Sequence, residues 1–377
     1  MRIPLSAPDI SEEDVAAVEA VLRTPRLSMG PKLEEFEESL ARYIGVSCGV
    51  ALSSGTAGLH LGLAALGVGE GDEVILPSFT FIAVANAVLH ARATPVFADI
   101  DAQTLNLTAE SVAQCVTPRT RAIILVHTFG CPGDLDPILR LAAAHGVTVI
   151  EDACEALGAE YRGRKAGGRG AFGVFGFYPN KPVTTGEGGM LVTGDRQLAD
   201  KVRALRNQGR RPSDGWLDHS LPGYNYRLSE INCALGLSQM ARIESILARR
   251  ESRAACYREH LRAAPDLVLP VPFTAEGRVC WFVFVVRLAA GFTQKDRDNI
   301  LAQMAARGIE CGRYFAPVHR QALYAAYAHR GQDLSVTEQA AERTIALPFY
   351  NRITDEEIAE VCRSLREAME RVRRGRE

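Results

Sequence analysis

The chain has 377 residues, of which 47% are hydrophobic and 23% charged, and its formal net charge is −2. This length exceeds one ordinary domain, and the apolar content is enough for a large core and a smaller one. The near-balanced charge gives no reason to expect nucleic acid or an anionic membrane as a partner. No apolar stretch reaches membrane length, so we expect neither a membrane span nor a signal peptide.

The nine cysteines include no CxxC pair and have no ligand-like spacing with histidine. This pattern is typical of reduced thiols in a cytoplasmic protein, and it predicts no metal site. Cys154 lies between two carboxylate residues, and we interpret it as a small packing residue rather than a nucleophile.

Short apolar runs alternate with helical patterns over residues 1–240, which favours a mostly parallel sheet covered by helices. The predicted strands are 49–52, 74–76, 95–98, 122–126, 147–150, 174–177 and 190–193. We therefore predict a large α/β domain over 1–240 and a smaller α/β domain over 241–377. The predicted elements near and within the smaller domain are a long helix over 240–262, a strand over 279–288, a helix over 294–307 and a final helix opened by the capping pattern at Thr354.

The first candidate site segment is the small-residue turn 53–58, which follows the strand 49–52 and opens a helical pattern. Free N–H groups at a helix start, with small residues that allow close approach, bind a phosphate well. A strand, a small turn and a helix also form a common structural connection, so the segment alone does not decide. Phe81 follows the next strand, and an aromatic ring there can stack on a flat ligand or pack in the core.

The second segment is the β-branched run 147–150, which ends in the carboxylates Glu151 and Asp152. Ligands of open parallel sheets bind beyond the carboxyl ends of the strands, so Asp152 is placed to meet a cofactor. An aspartate beside the ring nitrogen of pyridoxal phosphate keeps that nitrogen protonated and makes the ring an electron sink. A lone aspartate after a strand is more often a helix cap or a turn former.

The third segment carries Lys181, after the aromatic residues 175–178 and before the glycine-rich stretch 186–189. The chain has only five lysines among its 43 basic residues, so a lysine here is poorly explained as ordinary surface charge. A desolvated lysine can lose its proton and form an imine with an aldehyde, which an arginine cannot do. Together with Asp152, this lysine predicts a pyridoxal phosphate enzyme.

At this point the chain resembles the sugar aminotransferases of the DegT/DnrJ/EryC1/StrS family, which have the aspartate-aminotransferase-like fold. The resemblance covers nearly the whole chain. Its ordered blocks are 28–31, 54–57, 151–156, 180–181, 186–189, 223–227 and 314–319. It implies a pyridoxal-phosphate-dependent transferase of fold type I, in which a large domain with a mostly parallel sheet precedes a smaller C-terminal α/β domain.

The resemblance also implies roles for residues around the cofactor ring. Lys181 would be the lysine that forms the Schiff base and then moves protons as base and acid. Asp152 would pair with the pyridine nitrogen, and Glu155 would lie near the ring hydroxyl. Phe81 would stack on the ring. Some relatives carry histidine in place of the lysine and are sugar dehydratases, so Lys181 argues against that branch.

For the phosphate, the resemblance implies that Gly55 and Thr56 hold it. Asn225 looks like the residue that such enzymes lend to the phosphate site of the neighbouring subunit, which implies a homodimer with shared active sites. Many relatives carry a serine five residues before the lysine as a phosphate ligand, whereas this chain has Gly176. The detail of phosphate binding is therefore expected to differ here.

For the substrates, the resemblance implies a nucleotide-linked keto sugar, most often a 4-keto-6-deoxyhexose, and an amino-acid donor, usually glutamate. Arg227, Tyr314 and His319 are the candidate contacts to the sugar or its diphosphate, although His319 can equally be a surface or capping histidine. Two other functions stay open: an aminotransferase or lyase acting on another ketone, such as an aminocyclitol precursor, and a non-enzymatic regulator. The sequence specifies neither the nucleotide nor the keto position.

Overall fold

Within residues 2–211, 214–215, 218–274, 277–327 and 333–375, which the computed structural model describes, a seven-stranded sheet forms the centre of the larger lobe. The strands of this part of the chain are β1 (Cys48–Leu52), β2 (Glu73–Pro77), β3 (Thr94–Ala98), β4 (Thr120–Val126), β5 (Thr148–Asp152), β6 (Glu160–Tyr161), β7 (Arg164–Lys165), β8 (Phe172–Gly176) and β9 (Gly189–Thr193). The sheet order is β1-β9-β8-β5-β4-β2-β3. Strands β3, β2, β4, β5 and β8 are parallel, and β9 runs antiparallel to both neighbours.

Helices cover this sheet, which explains why nearly every residue of its strands is buried. The helices of the larger lobe are α1 (Glu12–Leu22), α2 (Pro31–Ile44), α3 (Gly55–Ala65), α4 (Ala83–His90), α5 (Ala109–Ala113), α6 (Leu135–His145), α7 (Arg196–Arg206) and α8 (Glu230–Ala241). All five residues of β1, of β2 and of β9 are buried. The predicted strands and the mostly parallel sheet are confirmed.

The C-terminal lobe is a smaller α/β unit. Its elements are α9 (Ile243–Leu261), β10 (Leu267–Val268), β11 (Phe273–Thr274), β12 (Gly277–Arg278), β13 (Phe284–Leu288), α10 (Gln294–Ala306), α11 (Ser335–Arg343), β14 (Thr344–Leu347) and α12 (Asp355–Arg374). Strands β10, β13 and β14 form an antiparallel sheet. The capping prediction at Thr354 is confirmed, because its side chain accepts a hydrogen bond from the Glu357 N–H while the Glu357 carboxylate accepts one from the Thr354 N–H.

The long helix predicted over 240–262 is confirmed as α9, but it begins three residues later than predicted, because the chain breaks between α8 and α9 at Arg242. This residue has non-helical angles, φ −115° and ψ 18°. Its guanidinium donates to Asp14 at 2.7 Å and to Asp9 at 3.1 Å. These ion pairs connect the break to the N-terminal segment, which also bridges Ile3 to Ile309 of the C-terminal lobe. The first residues of the chain therefore lie against the smaller lobe, although the predicted domain boundary falls close to the break.

The strand predicted over 279–288 is shorter than expected, since β13 begins only at Phe284. The backbone before it has other partners. Cys280 N–H donates to the Gly130 carbonyl at 2.9 Å, and Arg250 donates to the carbonyls of Trp281 and Phe282. The Cys280 bond joins the C-terminal lobe to the larger lobe, whereas the Arg250 bonds lie within the C-terminal lobe and take the place of a sheet ladder.

None of the described helices is both long enough and apolar enough to cross a membrane. Among the described residues, no cluster of three or more His, Cys, Asp or Glu side chains has the arrangement of a metal site.

Candidate active site

A cavity of about 430 Å³ lies beyond the carboxyl ends of β4, β5 and β8. Asp152 and Gly176, the last residues of β5 and β8, line it. The C-terminal lobe closes it with Phe282, Tyr314 and Phe315. The volume is within the range of small-molecule sites, about 300–1,000 Å³. The position is the one at which parallel α/β sheets bind their ligands.

Lys181 lies in the tight connection between β8 and β9. Its N–H donates to the Tyr178 carbonyl at 2.9 Å, and Thr185 N–H donates to the Phe177 carbonyl at 3.0 Å. Gly186 adopts φ +79°, a left-handed conformation that favours glycine. Asn232, in the first turn of α8, donates to the Thr185 carbonyl. This network fixes the loop, and the lysine side chain, 14% exposed, lines the cavity.

The amine of Lys181 has two close neighbours. Its Nζ lies 3.6 Å from Oε1 of Glu155 and 3.8 Å from the centroid of the Phe282 ring. The other carboxylate oxygen of Glu155 accepts the Phe129 N–H at 2.9 Å. Burial raises the pKa of Glu155 above its ordinary value, and the charge of Lys181 opposes part of that rise. The structure thus pairs the candidate reactive amine with a buried carboxylate.

Asp152 is buried at the end of β5, with 7% exposure. Its Oδ1 accepts the Cys154 N–H at 3.0 Å, and its carbonyl accepts the His127 N–H at 3.0 Å. These two bonds hold Asp152 at the wall of the cavity, where the strand prediction placed it. The side chain of the neighbouring Glu151 does not line the cavity and makes a separate network.

Glu151 organises that separate network. It accepts hydrogen bonds from His127 Nε2 at 2.9 Å and from the N–H groups of Gly167, Arg169 and Gly170 at 2.7–2.8 Å. Burial acts to raise the pKa of Glu151, but the hydrogen bonds from His127 and from the N–H groups of Gly167 and Gly170 outweigh it and lower that pKa. His127 Nδ1 accepts the Gly133 N–H at 3.1 Å, so the ring is satisfied on both sides. We interpret His127 as a structural residue.

The start of α3 forms one end of the cavity. Ser54 is the N-cap, and its Oγ accepts the Ala57 N–H at 3.0 Å. Gly55 and Thr56 occupy the first turn, where an α-helix leaves its N–H groups without intrahelical acceptors. A Cβ atom on Gly55 would lie 2.7 Å from Sγ of Cys154, whereas one on Gly176 would lie 3.4 Å from the same atom. The glycine at position 55 therefore permits close packing that a larger residue would disturb.

Aromatic side chains form the walls. Phe81 lines the cavity and is 60% exposed. On the other lobe, the rings of Tyr314 and Phe315 stack with a centroid distance of 5.2 Å, and Phe129 stacks on Phe315 at 5.2 Å. Burial, followed by the charge of Glu155, raises the pKa of the Tyr314 hydroxyl. Phe81 and Tyr314 are thus where the sequence predicted them, in the cavity.

Three other predicted residues do not line the cavity of their own chain. Asn225 is exposed and pairs with Asn207 in an isolated bridge, and Arg227 Nη1 donates to Asn207 Oδ1 at 3.0 Å. His319 is buried, with 3% exposure, and its ring nitrogens face Ser78 and Glu338. His319 was predicted from the sequence as a candidate substrate contact. That prediction is corrected, because the His319 ring is enclosed outside the cavity.

Phe282 and Glu187 line the cavity but were not anticipated. Phe282 belongs to the segment before β13, and nothing in the local pattern indicates that its ring packs under the lysine. Glu187 lies in the glycine-rich stretch 186–189, so its charged side chain is the signal in the sequence that could have identified it. Among the described residues that line the cavity, Lys181 is the one cation, beside the carboxylates of Asp152, Glu155 and Glu187.

Comparisons with known proteins agree with this geometry. The sequence model of the DegT/DnrJ/EryC1/StrS aminotransferase family matches residues 8–366. GDP-perosamine synthase of Caulobacter vibrioides is 40% identical over 367 residues, which are 97% of this chain and 97% of the relative. DesV of S. venezuelae is 37% identical with a TM-score of 0.88, covering 95% of this chain and 94% of that one. The PLP-form of a putative sugar aminotransferase, Spr1654 of Streptococcus pneumoniae, is 27% identical with a TM-score of 0.93, covering 99% and 100%.

Proposed function

This chain belongs to the DegT/DnrJ/EryC1/StrS aminotransferase family, and from that premise we propose that it transfers an amino group from glutamate to a nucleotide-linked 4-keto-6-deoxyhexose. It is a sugar aminotransferase that depends on pyridoxal 5'-phosphate. The observation that carries the proposal is the Lys181 amine, held 3.6 Å from Glu155 in a cavity that Asp152 and the start of α3 also line. The 40% identity to a GDP-perosamine synthase supports a nucleotide sugar as acceptor.

The residues present fit this cofactor. An amine for the aldehyde, a buried carboxylate for the ring nitrogen, and a helix start whose glycine leaves no room for a Cβ all line one cavity. When bound, pyridoxal phosphate supplies an electron sink that stabilises negative charge on the carbon next to the nitrogen. We assign Lys181 as the covalent anchor, Asp152 as the partner of the ring nitrogen, and Gly55 and Thr56 as phosphate ligands.

The other cavity residues orient this assembly. We assign Glu155 to the ring hydroxyl and Phe81 to stacking on the ring. With the cofactor bound and its own amine free, Lys181 Nζ would take a proton from the substrate carbon as a base and later return one as an acid. Tyr314 lines the same cavity and is the assigned sugar contact.

We further propose that the active site is shared between two copies of the chain. A phosphate brings negative charge to a cavity in which Lys181 is the one cation among the described lining residues. The start of α3 offers backbone donors, but Gly176 contributes no hydroxyl. Asn225, exposed, and Arg227 are available to the cavity of a partner subunit and would add polar groups there. A homodimer completes the site on this reading.

We also propose that the protein acts in the cytoplasm. The cysteines, among the described residues, are all free thiols, which suits the cytoplasm. Nucleotide-linked amino sugars are donors for glycosyl transfer, so the product would serve polysaccharide assembly. Membership in an aminotransferase family argues against the regulatory alternative.

The test is amination by the purified protein with pyridoxal phosphate and glutamate. The acceptors are GDP-, UDP- and dTDP-linked 4-keto-6-deoxyhexoses, a free keto sugar and an aminocyclitol ketone. We expect 2-oxoglutarate and an amino sugar with at least one nucleotide-linked acceptor, and none with the free sugar. Amination of the cyclitol ketone alone, or product formation without any amino donor, would contradict the proposal and favour the other ketone or the lyase reaction.

A further inference from the structure

Residues 312–319, which we call the strap, cross the cavity from one lobe to the other. At the first end, Gly312 exchanges two hydrogen bonds of 2.9 Å with Ala346 of β14. At the other end, Val318 N–H donates to the Ser78 carbonyl at 2.9 Å, just beyond β2. Tyr314 and Phe315, between these ends, line the cavity. The strap therefore forms one wall of the cavity and is attached to both lobes.

A buried side-chain network attaches the second end. Ser78 Oγ lies 2.6 Å from His319 Nδ1 and accepts the His319 N–H at 3.2 Å. On the far side of the ring, His319 Nε2 lies 3.1 Å from Oε1 of Glu338. Both contacts are satisfied at once when the Ser78 hydroxyl donates to Nδ1 and the Nε2–H donates to Glu338. Ser78 is fully buried and does not line the cavity, so this Ser-His-Glu array is a link between segments and not a nucleophilic site.

The same serine begins the turn that forms the opposite wall. Thr80 and Phe81 follow Ser78 and line the cavity. Between them and Ser78, the Phe79 ring lies 5.9 Å from Phe315 of the strap. A shift of Ser78 relative to His319 would thus change the separation of Phe81 from the strap.

We propose that His319 is a positioning residue, which through its bond to Ser78 sets the spacing between Phe81 and the strap and so shapes the cavity for the cofactor ring and the sugar. The inference deepens the proposed function and rests on it. The Glu338 contact orients the imidazole but does not itself join the two walls. The bond at Nδ1 is therefore the one that matters for binding.

Two substitutions separate the two ring contacts. The terminal group of asparagine occupies the place of Nδ1, and that of glutamine the place of Nε2. His319→Asn therefore keeps the Ser78 bond and loses Glu338, whereas His319→Gln does the reverse. Ser78→Ala removes the link from the other side, and Glu338→Gln is the control that leaves it in place.

We expect His319→Gln and Ser78→Ala each to raise the dissociation constant for pyridoxal phosphate and the KM for the keto sugar about tenfold. His319→Asn and Glu338→Gln should stay near wild type. The double variant Ser78→Ala with His319→Gln should be no worse than Ser78→Ala alone, because the serine substitution already removes the Nδ1 bond that His319→Gln breaks. The circular dichroism of the bound cofactor should change in step with these losses.

Equal behaviour of the Asn and Gln variants, or loss of melting temperature with unchanged binding in Ser78→Ala, would overturn the inference. Additive losses in the double variant would do the same. These outcomes differ from failure of the proposed function, in which wild-type protein itself would not bind the cofactor at Lys181. If wild type binds it and the Gln variant binds it equally well, only the role of His319 is lost.

Discussion

Nζ of Lys181 lies 3.6 Å from Oε1 of Glu155, and both side chains are largely buried. Glu155 is tied in turn to the backbone of Phe129, and Phe282 lies beneath the amine. This contact joins the loop between β8 and β9 to the segment after β5. It places the amine between a carboxylate and an aromatic face, away from bulk water.

The first prediction concerns the anchor. Lys181→Ala should abolish both the visible absorbance of the bound cofactor and turnover, because no other amine lines the described cavity. Lys181→Arg should do the same, since arginine remains protonated. The matched control is Lys165→Ala, which loses an ion pair with Glu160 and a contact with the Tyr43 ring, both outside the cavity. A fully active Lys181→Ala enzyme would refute the assignment.

The second prediction concerns Asp152→Asn, which keeps the shape of the side chain and removes its charge. Turnover should fall by about two to four orders of magnitude, while cofactor affinity falls far less, because the charge acts mainly in the transition state. Steady-state kinetics and a cofactor titration measure the two effects. Asp136→Asn, outside the cavity, serves as the control. Wild-type kinetics for Asp152→Asn would make the strand carboxylate purely structural.

The third prediction concerns the pH dependence of apo-protein stability. Burial raises the pKa of Glu155, so the folded chain keeps this proton to a higher pH than the unfolded chain does. The contribution of this group to stability is present below its ordinary pKa and is lost as the pH rises through the folded-state pKa. Glu155→Gln removes that loss, so the variant should gain unfolding free energy relative to wild type over the pH range above the ordinary carboxyl pKa of about 4.3. The unfolding free energies are measured by urea unfolding. A difference between variant and wild type that does not change across that range would contradict the prediction.

The fourth prediction compares Gly55 and Gly176, two glycines that line the cavity beside the proposed phosphate site. Gly55→Ala should weaken pyridoxal phosphate binding about tenfold, because its Cβ would lie 2.7 Å from Cys154 Sγ. Gly176→Ala, whose Cβ would lie 3.4 Å from the same sulfur, is the control and should be tolerated. Adding Cys154→Ala to Gly55→Ala should recover most of the loss. If the double variant binds as poorly as Gly55→Ala, crowding by Cys154 is not the cause.

The fifth prediction concerns assembly. If Asn225 serves the site of the partner, Lys181→Ala and Asn225→Ala chains mixed under subunit exchange should form heterodimers with one intact site. Activity should then rise above that of either parent, as followed by 2-oxoglutarate release. Mixing Lys181→Ala with Lys181→Arg is the control and should give no activity. Verified exchange without recovery, or a fully active monomer, would contradict shared sites.

Much of the site was predictable from local pattern. Asp152 was placed by a β-branched run that ends in a carboxylate, and the helix start at Gly55 by the small residues of the turn 53–58. Lys181 stood out because lysine is rare in this chain. The family resemblance added the roles of Phe81 and Glu155, which spacing by itself does not indicate. The positions of Asp152 and of the helix start could be predicted because strands, caps and turns depend on neighbouring residues.

The sequence by itself determined the strands of the sheet, the cap of α12 and the carboxyl-end position of Asp152, because each follows from side-chain periodicity or from residues within one turn. Only the tertiary structure decided that Phe282 lies under Lys181, that Arg242 interrupts a helix to bind Asp9 and Asp14, and that the His319 ring is enclosed outside the cavity. The physical reason is that these contacts join residues from tens to hundreds of positions apart in the chain. The energies of these contacts depend on how the two lobes pack, and local sequence patterns do not indicate that packing.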